Sequence, residues 1–398
     1  MNKLARPTRR DSQQRRATPS LPFDCIALLL QGGGSLGAYQ AGVYEALAEA
    51  DLLPDWVAGI SIGAINAAII AGNAPEQRVE RLRAFWMQIT DTPLSAFAAP
   101  WFGVGEPFAG LRDQAHGWLA QASAAQALMV GAPGFFRPRL PPPFLSPAGS
   151  PEATSFYDTS ALRTTLENLV DFDRLNNGEM LFSVGAVNIR TGNFVYFDTQ
   201  THKIGPEHIL ASAALPPGFP AIEIDGECYW DGGLVSNTPL QWVVETDERH
   251  DLLAFQVDLW SSRGQFPRDL TEVAIRQKEI QFSSRTRAAT DQLKRLHKIR
   301  ATLDKFLESV PPELLDTADG KILAAFSDPK VCNIVQLVYR SKQYEGNSKD
   351  YEFSRLSMAD HWRAGYDDAH ASLQHKEIFE RPNSEDGFRA FDFSFPNS

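Results

Sequence analysis

A chain of 398 residues exceeds one typical domain, and its 43% hydrophobic and 22% charged content is that of an ordinary globular protein. A net charge of −11 argues against general nucleic-acid binding, so no nucleic-acid partner is expected. No run of about 18 consecutive apolar residues occurs, so no membrane-spanning helix is expected either.

The charge is uneven. Residues 1–16 carry Lys3, Arg6, Arg9, Arg10, Arg15 and Arg16 against Asp11 alone, a local +5. With no apolar core, this segment does not read as a secretory signal. Residues 1–22 are expected to form a disordered basic tail, with weak anchoring to anionic lipid as the functional alternative. Cys25, Cys228 and Cys332 are widely spaced in apolar, strand-like runs, which predicts buried free thiols in a reducing compartment. The expectation is a cytoplasmic protein, with peripheral membrane contact at most.

FDCIALLLQ (Phe23–Gln31) is a continuous apolar run ending in a turn, the pattern of a buried parallel strand. Helical spacing follows, with Tyr39, Val43 and Leu47 on one face. WVAGI (Trp56–Ile60) predicts a second strand, and IGAINAAIIAGN (Ile62–Asn73) a small-residue helix ending at Gly72. This alternation predicts a right-handed βαβ unit in a parallel sheet. From Thr90 to Thr154 the chain is rich in proline, aromatics and alanine with little periodicity, and reads as a lid or a plain surface excursion.

MLFSVGAVNI and NFVYFD flank Thr191-Gly192 and predict a hairpin. A short strand pair around Glu223–Trp230 and the run LLAFQVDL (Leu252–Leu259) complete a catalytic domain placed at 23–262. Residues 263–398 read as a mostly helical extension packed on that core. Its apolar residues Ala289, Leu293, Leu296, Ile299, Leu303, Phe306 and Val310 recur at helical spacing, and NIVQLVY (Asn333–Tyr339) predicts one more strand. LKRLHKIR (Leu293–Arg300) is either the solvated face of that helix or a contact with anionic lipid.

LLLQGGGSLGAYQAG raises a chemical question. Gly32, Gly34 and Gly37 satisfy G-x-G-x-x-G after a strand, yet such a turn serves a pyrophosphate or any other anion. A dinucleotide fold needs an acidic residue at the end of the second strand. Here that strand ends in Gly59-Ile60-Ser61. Gly59 to Gly63 is instead a G-x-S-x-G nucleophile elbow, with Ser61 placed 27 residues past Gly34. In neighbouring parallel strands the two turns lie side by side. The N–H groups of Gly33 and Gly34 can then meet an acyl oxygen attacked by Ser61, as an oxyanion hole.

A nucleophilic serine needs a base. Asp231 in YWDGGLVSNTPL, followed by Gly232 and Gly233, is the candidate. None of the eight histidines sits in a small-residue turn or beside another catalytic group. No His/Cys/Asp cluster has metal-ligand spacing, so no metal and no cofactor is expected.

QGGGSLGAYQAG, GISIGAINA and ASAALPPGFPAIEIDGECYWDGGLVSNTP, in that order, resemble the patatin-like phospholipase family over roughly residues 24–80 and 155–260. The resemblance implies a three-layer α/β/α fold with a mainly parallel central sheet, plus the C-terminal extension of a bacterial subfamily. It implies a serine hydrolase with a Ser-Asp dyad and no histidine. By position, Ser61 becomes the nucleophile and Asp231 the base, while Gly32, Gly33, Gly34 and Gly37 form the oxyanion loop. Many members carry arginine where this chain has Leu36, so that charge is absent here. The implied substrate is a phospholipid or lysophospholipid ester. A simple carboxylic ester, an intracellular polyester, and a silent lipid-binding regulatory module are the alternatives. An α/β-hydrolase with a histidine is disfavoured, because its glycine motif usually lies far upstream of the elbow.

Overall fold

In the computed structural model, residues 21–92, 109–178, 180–246, 251–283, 286–327, 330–341, 345–346, 348–382 and 387–393 are described. The expected basic tail lies outside the described residues through position 20. The first apolar run forms β1 (Cys25–Leu30), and WVAG forms β2 (Trp56–Gly59). The short β3 (Arg137–Pro138) and β4 (Tyr157–Asp158) pair only with each other. The remaining strands are β5 (Leu181–Asn188), β6 (Phe194–Asp198), β7 (Ile222–Ile224), β8 (Glu227–Asp231), β9 (Leu252–Asp258), β10 (Cys332–Val338) and β11 (Phe388–Asp392).

They assemble in the order β11-β10-β9-β1-β2-β5-β8-β7, with β6 also on β5. Every pair from β11 through β5 is parallel, whereas β6, β7 and β8 run antiparallel. A parallel core must be covered on both faces. On one face Leu28 and Leu30 pack with α1 (Ala38–Glu49), α2 (Ile62–Ala71) and α3 (Arg78–Ile89). On the other, Ala27 and Leu29 pack with Leu240, Val243, Val244 and Leu293. The result is the three-layer arrangement with a mainly parallel sheet.

Several local features differ from the sequence reading. Residues 109–130, expected without regular structure, form the 22-residue helix α4 (Ala109–Val130). Its many alanines favour helix by propensity while giving almost no apolar stripe, so periodicity could not find it. Residues 93–108 of the same insert lie outside the described residues. The C-terminal segment contains α5 (Leu270–Phe282), α6 (Thr286–Leu307) and α7 (Arg355–Ser372), and it also adds β10 and β11 to the central sheet.

Cys25 and Cys332 are buried free thiols, but Cys228 is exposed. It sits on a short antiparallel strand whose side chains alternate, with Tyr229 turned inward. Along α6, Leu293 is buried whereas Ile299 and Phe306 are exposed, and Ala289 falls outside the described side chains. Lys294, Arg295 and Lys298 face solvent while Leu293 and His297 are buried, the layout of a solvated helix face. No helix among the described residues is long and apolar enough to cross a membrane.

Candidate active site

β2 runs into Gly59-Ile60-Ser61, and α2 starts at the next residue. Ser61 has φ 57° and ψ −124°, a backbone state that costs a non-glycine residue about 1–3 kcal/mol. Its N–H is held by Ser212 Oγ at 3.0 Å. The turn leaves no room behind it: a Cβ at Gly63 would stand 2.2 Å from the Leu30 carbonyl oxygen. Gly63→Ala is therefore expected to lower stability by about 1–3 kcal/mol, read from urea unfolding.

The glycine turn follows β1. Gly34 has φ 57°, and a Cβ there would meet the Asp350 carbonyl oxygen at 2.0 Å. The Gly32 carbonyl accepts hydrogen bonds from Asn237 Nδ2 and Trp260 Nε1, both at 3.0 Å. The N–H groups of Gly33 and Gly34 make no hydrogen bond among the described residues. Gly37 plays a different part: it packs against Ile62 and Trp86, joining the glycine turn to the elbow.

Asp231 ends β8, where its N–H donates to the Ala214 carbonyl at 3.0 Å. Its Oδ1 accepts from the Gly233 N–H at 2.7 Å, and the Ser61 hydroxyl lies within hydrogen-bonding reach. The carboxyl is 1% exposed. Burial pushes its pKa up to about 7, against the opposing pull of the Ser61 and Gly233 hydrogen bonds. Gly232 lies close against the Gly185 carbonyl on β5.

Gly32, Gly33, Gly34, Ser61, Asp231 and Gly233 line one cavity of about 300 Å³. Gly37, Gly59, Gly63 and Gly232 are not part of that lining; each is packed too tightly against neighbouring groups to admit a Cβ. The far wall is aromatic, with Phe135, Phe136, Tyr157, Phe219 and Phe353 in mutual edge or tilted contact. Among the described residues, no histidine lines this cavity. Such a site places a hydroxyl, a buried carboxyl and two unpaired amides at one end of an apolar slot.

Five supports of the two turns are assigned no role by the sequence motifs: Ser212, Asn237, Trp260 and the Lys349 and Asp350 carbonyls, which accept from Ser35. Asn237 stood in view, six residues past Asp231. Nothing in the sequence pairs residue 350 with residue 34.

A sequence profile for patatin-like phospholipases matches residues 28–243, more than half of the chain. The chain belongs to the patatin-like phospholipase family. A second profile, described as patatin phospholipase, matches residues 280–385 of this patatin-like chain. The chain is 39% identical over 85 residues to a patatin-like phospholipase domain-containing protein of Chaetomium globosum, covering 21% of this chain and 10% of that protein. It is 39% identical over 79 residues to patatin-like phospholipase domain-containing protein 7 of Rattus norvegicus, covering 20% and 6%. It is 50% identical over 44 residues to triacylglycerol lipase SDP1L of Arabidopsis thaliana, covering 11% and 6%. The matched stretches thus span no more than 10% of these relatives' length. Among solved structures, VipD from Legionella pneumophila is 14% identical with a TM-score of 0.39, over 89% of this patatin-like chain and 67% of VipD.

Proposed function

We propose that this protein hydrolyses carboxylic ester bonds of lipids through an acyl-enzyme on Ser61, with Asp231 as the general base. Asp231 takes the Ser61 proton as Oγ attacks the ester carbonyl. The oxyanion that forms is met by the Gly33 and Gly34 amides, aided by the positive end of α2. Collapse expels the alcohol, which regains the proton from Asp231. A water activated by Asp231 then releases the acid. The observation that carries this reading is the meeting in one cavity of Ser61, a buried Asp231 with raised pKa, and two glycine amides that have no hydrogen-bond partner among the described residues.

A phospholipid or lysophospholipid is the favoured substrate, because the slot beyond Ser61 is apolar and aromatic. The mouth supports a substrate drawn from a lipid surface. Leu128 lines the cavity, and its carbonyl accepts from Tyr157 Oη at 3.0 Å. The Phe156 N–H donates to the Pro217 carbonyl at the rim, and the Phe156 carbonyl accepts from the Arg139 N–H; Arg139 is followed by Leu140, which is 89% exposed, and by Phe144, 78% exposed. The double variant Leu140→Ser/Phe144→Ser is expected to cut hydrolysis of vesicle-borne phospholipid about 10-fold or more, since each large apolar side chain buried in lipid is worth about 1.5–3 kcal/mol. Soluble p-nitrophenyl butyrate should be hydrolysed as before.

Assaying the wild type on p-nitrophenyl butyrate and on a phospholipid tests the proposal. Hydrolysis of both supports it, and hydrolysis of the soluble ester alone redirects it to a carboxylesterase. A folded protein inactive on every ester overturns it in favour of a silent lipid-binding module.

A further inference from the structure

The Gly32–Ser35 turn is gripped from outside by residues that belong to none of the catalytic motifs. The Ser35 N–H donates to the Asp350 carbonyl at 2.9 Å, and Ser35 Oγ donates to the Lys349 carbonyl at 2.6 Å. Those two carbonyls are themselves pinned. Lys349 is 5% exposed, and its ammonium donates to Glu279 Oε1 at 3.0 Å and Ser341 Oγ at 2.6 Å. The same ammonium lies 5.0 Å from the Trp260 ring centroid, and the Trp260 indole N–H holds the Gly32 carbonyl. The neighbouring Asp350 is ion-paired with Lys278 at 2.9 Å. Lys278 and Glu279 are consecutive residues of α5.

A buried ammonium held between a carboxylate and a hydroxyl tolerates few geometries, because each lost partner leaves an unpaired buried charge. The turn between these supports contains the two amides without partners. Their aim depends on peptide planes whose neighbours on both sides are fixed, at Gly32 by Trp260 and at Ser35 by residues 349–350.

We infer that Lys349 and Asp350 are positioning residues for ester hydrolysis: their carbonyls, fixed by the Lys349–Glu279 and Lys278–Asp350 ion pairs, orient the Gly33 and Gly34 amides through Ser35. The inference rests on the reading of that turn as the oxyanion hole. It makes the C-terminal segment a working part of the site.

Two variants of the full chain test it. Ser35→Ala removes the bond to the Lys349 carbonyl, and the double variant Lys349→Met/Glu279→Gln removes both charges of the ion pair, leaving Arg276, which pairs with the second Glu279 oxygen at 3.1 Å, on the Ser261 and Ser262 carbonyls. Rates are taken per active site titrated with a fluorophosphonate, so that a loss of folded protein alone leaves them unmoved. For each variant, kcat on p-nitrophenyl butyrate should fall about 10- to 100-fold with KM within about twofold of wild type. Affinity for a trifluoromethyl ketone, whose adduct carries the oxyanion, should fall by the same factor as kcat/KM. Unchanged kcat per titrated site in Ser35→Ala overturns the inference while leaving the hydrolase reading intact, even where the double variant fails to fold. A wild type that neither cleaves esters nor reacts at Ser61 overturns both.

Discussion

Ser61→Ala should lower kcat on a p-nitrophenyl ester on the order of 10⁴-fold or more, and Asp231→Asn by about 10²–10⁴-fold. The first loss is larger because alanine removes the only atom that can carry the acyl group. Asparagine keeps an acceptor for the Gly233 N–H but takes no proton from Ser61 Oγ. The Ser61 backbone separates chemistry from folding. At φ 57° and ψ −124°, alanine retains the strain of serine, so Ser61→Ala should unfold near the wild-type denaturant midpoint. Ser61→Gly should be equally inactive yet more stable by about 1 kcal/mol, because glycine adopts that conformation without a steric clash. A Ser61→Ala protein with wild-type kcat would overturn the assignment of the nucleophile.

The buried carboxyl predicts a pH dependence with opposite signs for activity and stability. Asp231 must be ionised to act as a base, and its pKa is raised from 3.8 to about 7 by burial. kcat/KM should therefore climb about tenfold per pH unit below 7 and level off above it. Stability runs the other way. Between about pH 4 and 7 the folded protein holds a proton on Asp231 that the unfolded chain has released. The contribution of this group is thus fully present below its unfolded pKa. It is lost as pH rises through the folded value, by a few kcal/mol in order of magnitude. Asp231→Asn removes that dependence. The variant should gain stability relative to wild type as pH rises from 4 to 8, measured as the difference between paired urea curves. Parallel stability profiles would mean that Asp231 is not held neutral by burial.

How much of this could be read from the sequence follows from where each feature is encoded. The glycine turn and elbow close consecutive parallel strands, so a local motif specified both the residues and their adjacency. Asp231 was legible because the Asp-Gly-Gly turn ends a strand, and β8 pairs with β5 to bring it back beside Ser61. Helix α4 escaped because alanine-rich helices carry propensity without periodicity. β11 escaped as a short strand near the chain's end, whose place is decided by pairing with β10. The grip of residues 349–350 on Ser35 joins backbone groups, and a backbone carbonyl leaves no mark in the sequence. Cys228 was misjudged because an apolar neighbourhood does not say which face of an edge strand meets water.

The central claim is that Ser61 Oγ carries the acyl group, and the most direct measurement is covalent labelling. The wild type would be treated with an alkyl fluorophosphonate, weighed intact by mass spectrometry and mapped by peptide. A single adduct on Ser61, formed in step with loss of ester hydrolysis and absent from Ser61→Ala, is the expected result. An adduct on another residue, or full inactivation resistance in a protein that still cleaves esters, would contradict it.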